Sequence, residues 1–195
     1  MSHCFISYSN AKTEAEATQL AVKLADKLKG EPPHIDVWID HRSIQAGNWD
    51  EQVSEAIKTC KCILFIVSPD SVTPNCICAD EIDWALRYKK TIIPLITYKN
   101  VEVPFRLSRR KFVDFTDDFE TALSQLRNLI GWLDTPEGVL QSLKDRLADA
   151  ERDLRRTPEN AQRIEKEIED LKVEIKRQEE IVKNPQKAKE QTQKN

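Results

Sequence analysis

Short apolar runs alternate with amphipathic stretches through residues 1–133. One run, residues 61–67, is rich in β-branched side chains and ends at the polar segment Ser68-Pro69-Asp70-Ser71, so it predicts a buried strand. Residues 78–86 follow with their apolar positions at helical spacing, and they predict a helix whose apolar stripe faces inward. In an open parallel sheet ligands bind beyond the carboxyl ends of the strands, so Glu81, one loop past such an end, is well placed for chemistry.

Further apolar runs have the length of strands, and further stretches have helical spacing. The strands are predicted at 4–8, 35–39, 91–96 and 111–115, and the helices at 15–29, from 49 onwards and at 117–133. Because strand and helix alternate, we predict an α/β fold, with a flavodoxin-like five-stranded parallel sheet and helices on both faces. Pro94 indicates a sheet edge or a bulge in the predicted fourth strand, because proline cannot donate to the ladder.

The pattern changes after residue 134, where Phe, Tyr, Trp and Cys no longer occur. Leucines and isoleucines recur at spacings of three and four in two segments separated by Thr157-Pro158, a signal that ends one helix and begins the next. We predict a globular domain at 1–134, an antiparallel coiled-coil-like helical hairpin at 135–183 and a disordered tail or linker at 184–195. The hairpin is interpreted as an oligomerisation element, a spacer, or a link to further domains of a larger protein.

Composition excludes several classes of protein. The net charge of −3 leaves no basic face for nucleic acid, so we predict no nucleic-acid partner. No apolar run approaches the roughly 18–20 residues of a membrane span, and the N-terminus has no signal-peptide pattern. We therefore predict a cytoplasmic protein without a membrane partner.

The cysteines favour free thiols over a metal site. The odd number of five is typical of a reducing compartment. Two pairs, Cys60 with Cys62 and Cys76 with Cys78, have C-x-C spacing in place of the C-x-x-C of zinc sites, and no histidine lies near them in sequence. We predict no metal, and a zinc-bound adaptor stays as a minor alternative.

Several catalytic and nucleotide-binding motifs are missing from the sequence. The four glycines, Gly30, Gly47, Gly131 and Gly138, cannot form a P-loop or a G-x-G-x-x-G fingerprint. A phosphorylatable receiver domain needs acidic residues after the first strand and an aspartate after the third, where this chain has serines. No histidine is placed by sequence to activate a serine or cysteine nucleophile.

Five short motifs nevertheless resemble, in order and spacing, a Toll/interleukin receptor (TIR) domain of the bacterial type over residues 1–133. They are Phe5-Ile6-Ser7-Tyr8-Ser9, Val37-Trp38-Ile39-Asp40 with Ile44, Gly47 and Trp49, Ile66-Val67-Ser68-Pro69, Cys78-Ala79-Asp80-Glu81-Ile82, and Ile92-Ile93-Pro94-Leu95.

This resemblance implies two functional classes. Many bacterial TIR domains cleave NAD at the nicotinamide–ribose bond, and many animal ones only self-associate. In the cleaving members, a glutamate at the position of Glu81 is essential, and the loop matching 40–49 covers the nucleotide and contacts a neighbouring TIR domain. Cleaving members often carry an aromatic residue where this chain has Ile77, and a serine where it has Asn75.

The chemistry of NAD cleavage gives Glu81 a physical rationale. Nicotinamide leaves as a neutral molecule, so positive charge develops on the ribose and a fixed carboxylate beside it stabilises the transition state. NAD is the predicted substrate, and no cofactor or metal is required. The structural alternative is a helix-start acid, which favours the helix macrodipole by about 0.3–1 kcal/mol.

Other residues are candidate substrate contacts, each with a structural alternative. Tyr8 and Ser9 follow the first strand and Ser68 the third, and ordinary turns are the alternative. Asp40 and Arg42 suit ribose or phosphate, or a surface ion pair. Trp49 and Trp84 suit stacking on a base, or the core. The sequence thus predicts a TIR NAD glycohydrolase or cyclase, activated by self-association in bacterial defence signalling; the alternative is a non-enzymatic TIR scaffold.

Overall fold

The computed structural model describes residues 3–11, 13–39 and 49–184, except for the side chains of Trp49, Asp50 and Pro158. The chain divides into two compact units, residues 1–127 and 128–195. The domain limits predicted from sequence, 1–134, 135–183 and 184–195, stay a prediction. Of the predicted tail, only Asn184 lies within the described residues.

Strands and helices alternate through the first unit. Its strands are β1 (Cys4–Ser7), β2 (Val37–Ile39), β3 (Cys62–Val67), β4 (Thr91–Ile96) and β5 (Val113–Asp114). Its helices are α1 (Ala15–Gly30), α2 (Trp49–Thr59), α3 (Ile77–Arg87) and α4 (Phe119–Trp132), and a 3-10 turn covers Phe105–Leu107. The last helix, α4, continues past residue 127 into the second unit.

The five strands form one sheet in the order β2-β1-β3-β4-β5, and all neighbours are parallel. This confirms the predicted flavodoxin-like α/β fold. From β1 the chain moves first to β2 on one side and then past β1 to β3 on the other. The carboxyl ends of β1 and β3 therefore flank the topological switch point, which is where such sheets bind ligands.

Both faces of the central strand β3 are buried along its whole length, as expected for a parallel sheet covered by helices. Alternate residues share a face, and Ile63, Phe65 and Val67 pack in one cluster with Ile57 of α2 and Ile82 of α3. Continuous apolar strands and one apolar stripe for each helix thus produce the core on this side of the sheet.

Four strands are shorter than the runs that predict them, although β3 loses only Lys61. The first strand ends at Ser7, the second begins at Val37, and the fifth contains only Val113 and Asp114. In the last case the flanking Phe112 is 58% exposed, so part of that run forms no ladder. Pro94 lies within β4, which pairs with β5 only at Leu95 and Ile96; at Pro94, β4 is locally an edge on the β5 side, where a missing donor is tolerated.

The second unit contains the two predicted helices of the hairpin, α5 (Pro136–Arg156) and α6 (Ala161–Lys183), joined by a 3-10 turn at Pro158–Asn160. Thr135 caps α5, since its side chain accepts a hydrogen bond from the Gly138 amide and proline occupies the first turn. Gln178 near the end of α6 donates to the Pro136 carbonyl at the start of α5, so the helices run antiparallel. None of the described helices is long and apolar enough to cross a membrane.

Candidate functional site

Glu81 lies in the first turns of α3, on the side of the helix that faces the sheet. Its neighbours Cys78, Ile82 and Ala85 are buried with it, because helical spacing brings them onto one stripe. Glu81 is 5% exposed, and Ser7 Oγ donates a hydrogen bond to Glu81 Oε2 over 2.6 Å. A carboxylate loses hydration energy when it is buried, and hydrogen bonds within the protein compensate for that loss, so the contact with Ser7 offsets part of the cost.

Two thiols adjoin this pair at the start of α3. Cys76 occupies the N-cap position of the helix without a capping hydrogen bond from its side chain, and its thiol donates to Asp70 Oδ2 over 3.6 Å. A hydrogen bond to Cys76, burial and the charge of Glu81 raise the pKa of Cys78, so this buried thiol is protonated at neutral pH. The same hydrogen bond from Cys78 lowers the pKa of the half-buried Cys76, although burial and Asp70 act in the opposite direction.

The crevice between the ends of β1 and β3 is bridged by hydrogen bonds within the protein. Ser9 Oγ donates to Asp70 Oδ2 over 2.5 Å, and the Asp70 amide donates to Glu14 Oε1 over 3.0 Å. The Ser68 amide donates to Ser71 Oγ over 2.8 Å, which holds the turn after β3. Ser9 and Ser68 thus both take part in loop structure, and their contact with substrate stays a prediction.

The aromatic candidates near α3 lie against the core. Trp84 packs on the cluster beneath α3, with its ring edge-on to Tyr88 at 6.0 Å between centroids. Tyr8 follows β1 and is 3% exposed. Trp38 of β2, which the sequence reading did not select for stacking, lies flat on Phe5 at 4.8 Å. These contacts are structural, and stacking of Trp84 on a base stays a prediction.

The loop that was predicted to cover the nucleotide lies largely outside the described residues. Asp40 and Arg42 fall there, as does the side chain of Trp49, whose backbone begins α2. Ile77, at the position where the cleaving TIR domains often carry an aromatic residue, is 41% exposed. Asn75 is also exposed.

The cysteines of the described chain are free thiols in two separate places. Cys4 Sγ and Cys62 Sγ lie 3.5 Å apart between β1 and β3, and burial raises the pKa of Cys60 to about 12. Cys76 and Cys78 lie instead beside Asp70 and Ser7. Among the described residues, no group of three or more His, Cys, Asp and Glu side chains could hold a metal ion.

Ser7 is the residue of this site that sequence reasoning did not identify. The sequence places it in the first strand and in the first TIR motif, next to the candidates Tyr8 and Ser9, without assigning it a contact. The signal was available in the strand period of two, which puts Ser7 on the same face as Phe5. A serine at a core-facing strand position needs a polar partner, and in this chain the partner is Glu81.

The segment that contains this site is similar to a known protein family. Residues 4–127, which contain the whole sheet, Ser7 and Glu81, match the TIR domain family. The chain belongs to the TIR domain family. The matched segment of this TIR domain stops before the helical hairpin. No curated protein matches the chain significantly.

Several solved structures are similar to this TIR domain at low identity. A prokaryotic SEFIR domain is 20% identical, with 67% of this chain and 92% of that chain covered and a TM-score of 0.50. A 2-desoxiribosyltransferase from Leishmania mexicana is 18% identical, with 66% and 98% covered and a TM-score of 0.46. The CMP N-glycosidase BcmB from Clostridium botulinum is 17% identical, with 65% and 98% covered and a TM-score of 0.42. The SEFIR similarity agrees with the fold described above.

Proposed function

We propose that this TIR domain cleaves NAD at the nicotinamide–ribose bond, with Glu81 as the catalytic residue. NAD is then the substrate, and the reaction needs no cofactor. The products are nicotinamide and either ADP-ribose or a cyclic ADP-ribose. The observation that supports the proposal best is a carboxylate held at the carboxyl edge of the sheet, buried to 5% exposure and fixed by a 2.6 Å hydrogen bond from Ser7.

This arrangement suits a reaction that develops positive charge on a sugar. Nicotinamide departs with the electron pair of the glycosidic bond and becomes neutral, so no general acid is needed. The ribose becomes oxocarbenium-like, and a preorganised carboxylate beside it lowers the barrier, more strongly where water is excluded. Water then attacks the ribosyl carbon and releases a proton to solvent to give ADP-ribose, or the adenine of the same molecule attacks it to give a cyclic product.

Self-association is the second part of the proposal. TIR domains commonly associate with one another, and in the cleaving members that this chain resembles, the loop matching residues 40–49 contacts a neighbouring TIR domain. We expect the reaction rate per molecule to rise when the protein is concentrated or clustered. This behaviour would suit a signalling enzyme in bacterial defence.

Nicotinamide release from NAD tests the assignment. We would compare the parent protein with Glu81→Gln and Glu81→Ala at low concentration and after clustering on a surface. The matched control is Asp80→Asn, because Asp80 is an exposed acid in the first turn of the same helix. We expect both Glu81 variants to lose about 100-fold or more of the activity, as for other preorganised transition-state contacts, and the control to keep it.

The outcomes separate the enzyme from its alternative. If clustered parent protein releases no nicotinamide, the enzyme proposal fails and the non-enzymatic TIR scaffold, assembling through its loop surfaces, replaces it. The exposed Ile77, in place of an aromatic residue, is the observation that favours the scaffold. If the parent is active and Glu81→Ala keeps full activity, the reaction stands and the assignment of Glu81 is wrong.

A further inference from the structure

We propose that Ser7 is a positioning residue that holds the Glu81 carboxylate in the orientation needed for NAD cleavage. This inference rests on the proposed function and adds a second residue to its site. Ser7 is not a catalytic residue in this proposal, because its hydroxyl contacts Glu81 and is assigned no contact with NAD. It acts through Glu81.

The donor, Ser7, is held rigidly at the end of an interior strand. Ser7 is the last residue of β1, which lies inside the sheet between β2 and β3, and it is in register with Phe65 of β3. Ser7 is 1% exposed. A side chain at such a position has few rotamers open to it, so its hydroxyl is a fixed point from which the carboxylate of Glu81 can be aimed.

The acceptor, the Glu81 carboxylate, is free to rotate unless a partner holds it. Glu81 reaches its carboxylate through three side-chain torsions, and the last of them is broad, because a terminal carboxylate rotates easily. Its helix is joined to β3 by the segment 68–76, in which turns replace regular structure. The Ser7 hydrogen bond to Oε2 fixes the torsion that a helix backbone alone does not determine.

The direction of the hydrogen bond, from hydroxyl to carboxylate, favours an ionised Glu81. The hydroxyl of Ser7 donates and the carboxylate accepts over 2.6 Å, which is the short distance expected for a charge-assisted bond. On the same helix, Cys78 interacts with the charge of Glu81 and hydrogen-bonds Cys76, and Cys76 in turn donates to Asp70 in the preceding loop. The Cys78 thiol is neutral because its pKa is raised, so it adds no second negative charge beside the Glu81 carboxylate.

An isosteric pair of variants tests the role of the hydroxyl apart from its shape. Ser7→Thr and Ser7→Val both add bulk at the same place and both suit a strand, but only Ser7→Thr keeps a hydroxyl. We expect kcat for nicotinamide release to be about 10-fold or more lower in Ser7→Val than in Ser7→Thr, because small misplacement of a catalytic group costs up to about 100-fold. KM should differ by less than about twofold.

Ser7→Ala removes the hydroxyl without adding bulk, and it is used if the larger side chains do not fit. Its control is Ser54→Ala, because Ser54 is a buried serine on α2. A spectroscopic readout is independent of turnover. In protein labelled with ¹³C at the glutamate carboxyl, the Glu81 resonance, assigned by its loss in Glu81→Gln, should move in Ser7→Ala and Ser7→Val and stay near its parent position in Ser7→Thr and Ser54→Ala.

Each result decides one statement. Equal kcat in Ser7→Thr and Ser7→Val, or an unmoved Glu81 resonance in the variants without a hydroxyl, overturns the positioning role while NAD cleavage by Glu81 stands. A loss confined to KM overturns it as well. A parent protein that is inactive when clustered overturns the proposed function first, and a Glu81 resonance that still responds to Ser7 then marks the hydrogen bond as structural only.

Discussion

The five thiols of this chain differ sharply in their surroundings, and this difference predicts their reactivity. Cys4, Cys60, Cys62 and Cys78 are buried. The hydrogen bond from Cys78 lowers the pKa of Cys76, which lies half-buried at the start of a helix, where the dipole also favours a thiolate. Because the thiolate is the reactive form, Cys76 should be the first thiol to react in the folded protein.

Brief treatment with iodoacetamide at neutral pH, followed by peptide mass spectrometry, measures this order. We expect Cys76 to be alkylated at least about 10-fold faster than any other cysteine, and Cys76→Ser to remove the fast phase. Labelling of Cys62 or Cys78 at the same rate as Cys76 in folded protein would show that the thiol environments are assigned wrongly.

His3 supplies a prediction for the pH dependence of stability. Burial lowers the pKa of His3 from its ordinary value of 6.5, although its hydrogen bond to the Ala56 carbonyl acts the other way. The unfolded chain therefore binds the proton more readily than the folded protein does. The contribution of His3 to stability is present above pH 6.5 and is lost as the pH falls from there through the folded-state pKa.

Urea unfolding at pH 7.5 and pH 5.5 measures this effect, with His3→Gln as the comparison. We expect the parent to lose more stability on acidification than the variant does, because the glutamine side chain does not titrate. An identical loss in both proteins would contradict the prediction and would assign the pH dependence to other groups.

At this same scale, Glu81 and Ser7 show what a single sequence can and cannot reveal. Glu81 could be predicted from helical spacing, its place after a buried strand and the family resemblance. The strand period marks Ser7 as a core-facing serine, but its pairing with Glu81 could not be predicted, because 74 positions separate the two residues and only the strand order brings β1 beside the start of α3. Likewise, the contact of Ser9 with Asp70 depends on loop geometry that spacing does not specify.

Two helical glycines, Gly138 and Gly131, should respond differently to substitution by alanine. A Cβ on Gly138, in the first turn of α5, would overlap the Trp132 carbonyl oxygen and lie 2.9 Å from the Leu133 Cα. A Cβ on Gly131, within α4, has no atom within 4 Å. The first glycine is therefore required by a close backbone approach, and the second only weakens its helix.

The free energy of unfolding of Gly138→Ala and Gly131→Ala, from urea melts followed by circular dichroism, tests this difference. We expect Gly138→Ala to lose about 1–3 kcal/mol, as overpacked sites do, and Gly131→Ala to gain up to about 1 kcal/mol from helix propensity. Equal changes in the two variants would be inconsistent with the close approach at Gly138.

The limits of a strand could be predicted from the hydrophobic pattern where burial along the strand is continuous. The limits of β4 were predicted in full, because every residue from Thr91 to Ile96 is apolar, β-branched or Pro94, and polar residues follow the strand. At the sheet edges the apolar runs overestimated the strands, since Ile35 and Phe112 are apolar residues outside the ladder. A strand end depends on where its neighbour stops, and that information is not local to the sequence.

At the scale of the whole molecule, the hairpin uses most of its apolar surface internally. Leu143 and Ala150 of α5 are buried with Ile164, Ile168, Leu171 and Ile175 of α6. The large apolar side chains that stay exposed in the described part of the hairpin are Val139 and Val173. Two isolated valines give little area for association compared with the roughly 800 Å² per partner of a standard interface. Of the roles interpreted from sequence, the spacer therefore fits better than the oligomerisation element.

Light scattering over a range of protein concentrations separates these roles, comparing the full chain with one that ends at residue 134. The shorter chain keeps all of α4, which ends at Trp132, and circular dichroism would check that it is folded. We expect both chains to associate with the same concentration dependence, because the surfaces proposed for association lie on the TIR domain. If the full chain associates and the folded shorter chain stays monomeric, the hairpin is the assembly element. The clustering that we propose for activity would then act through α5 and α6.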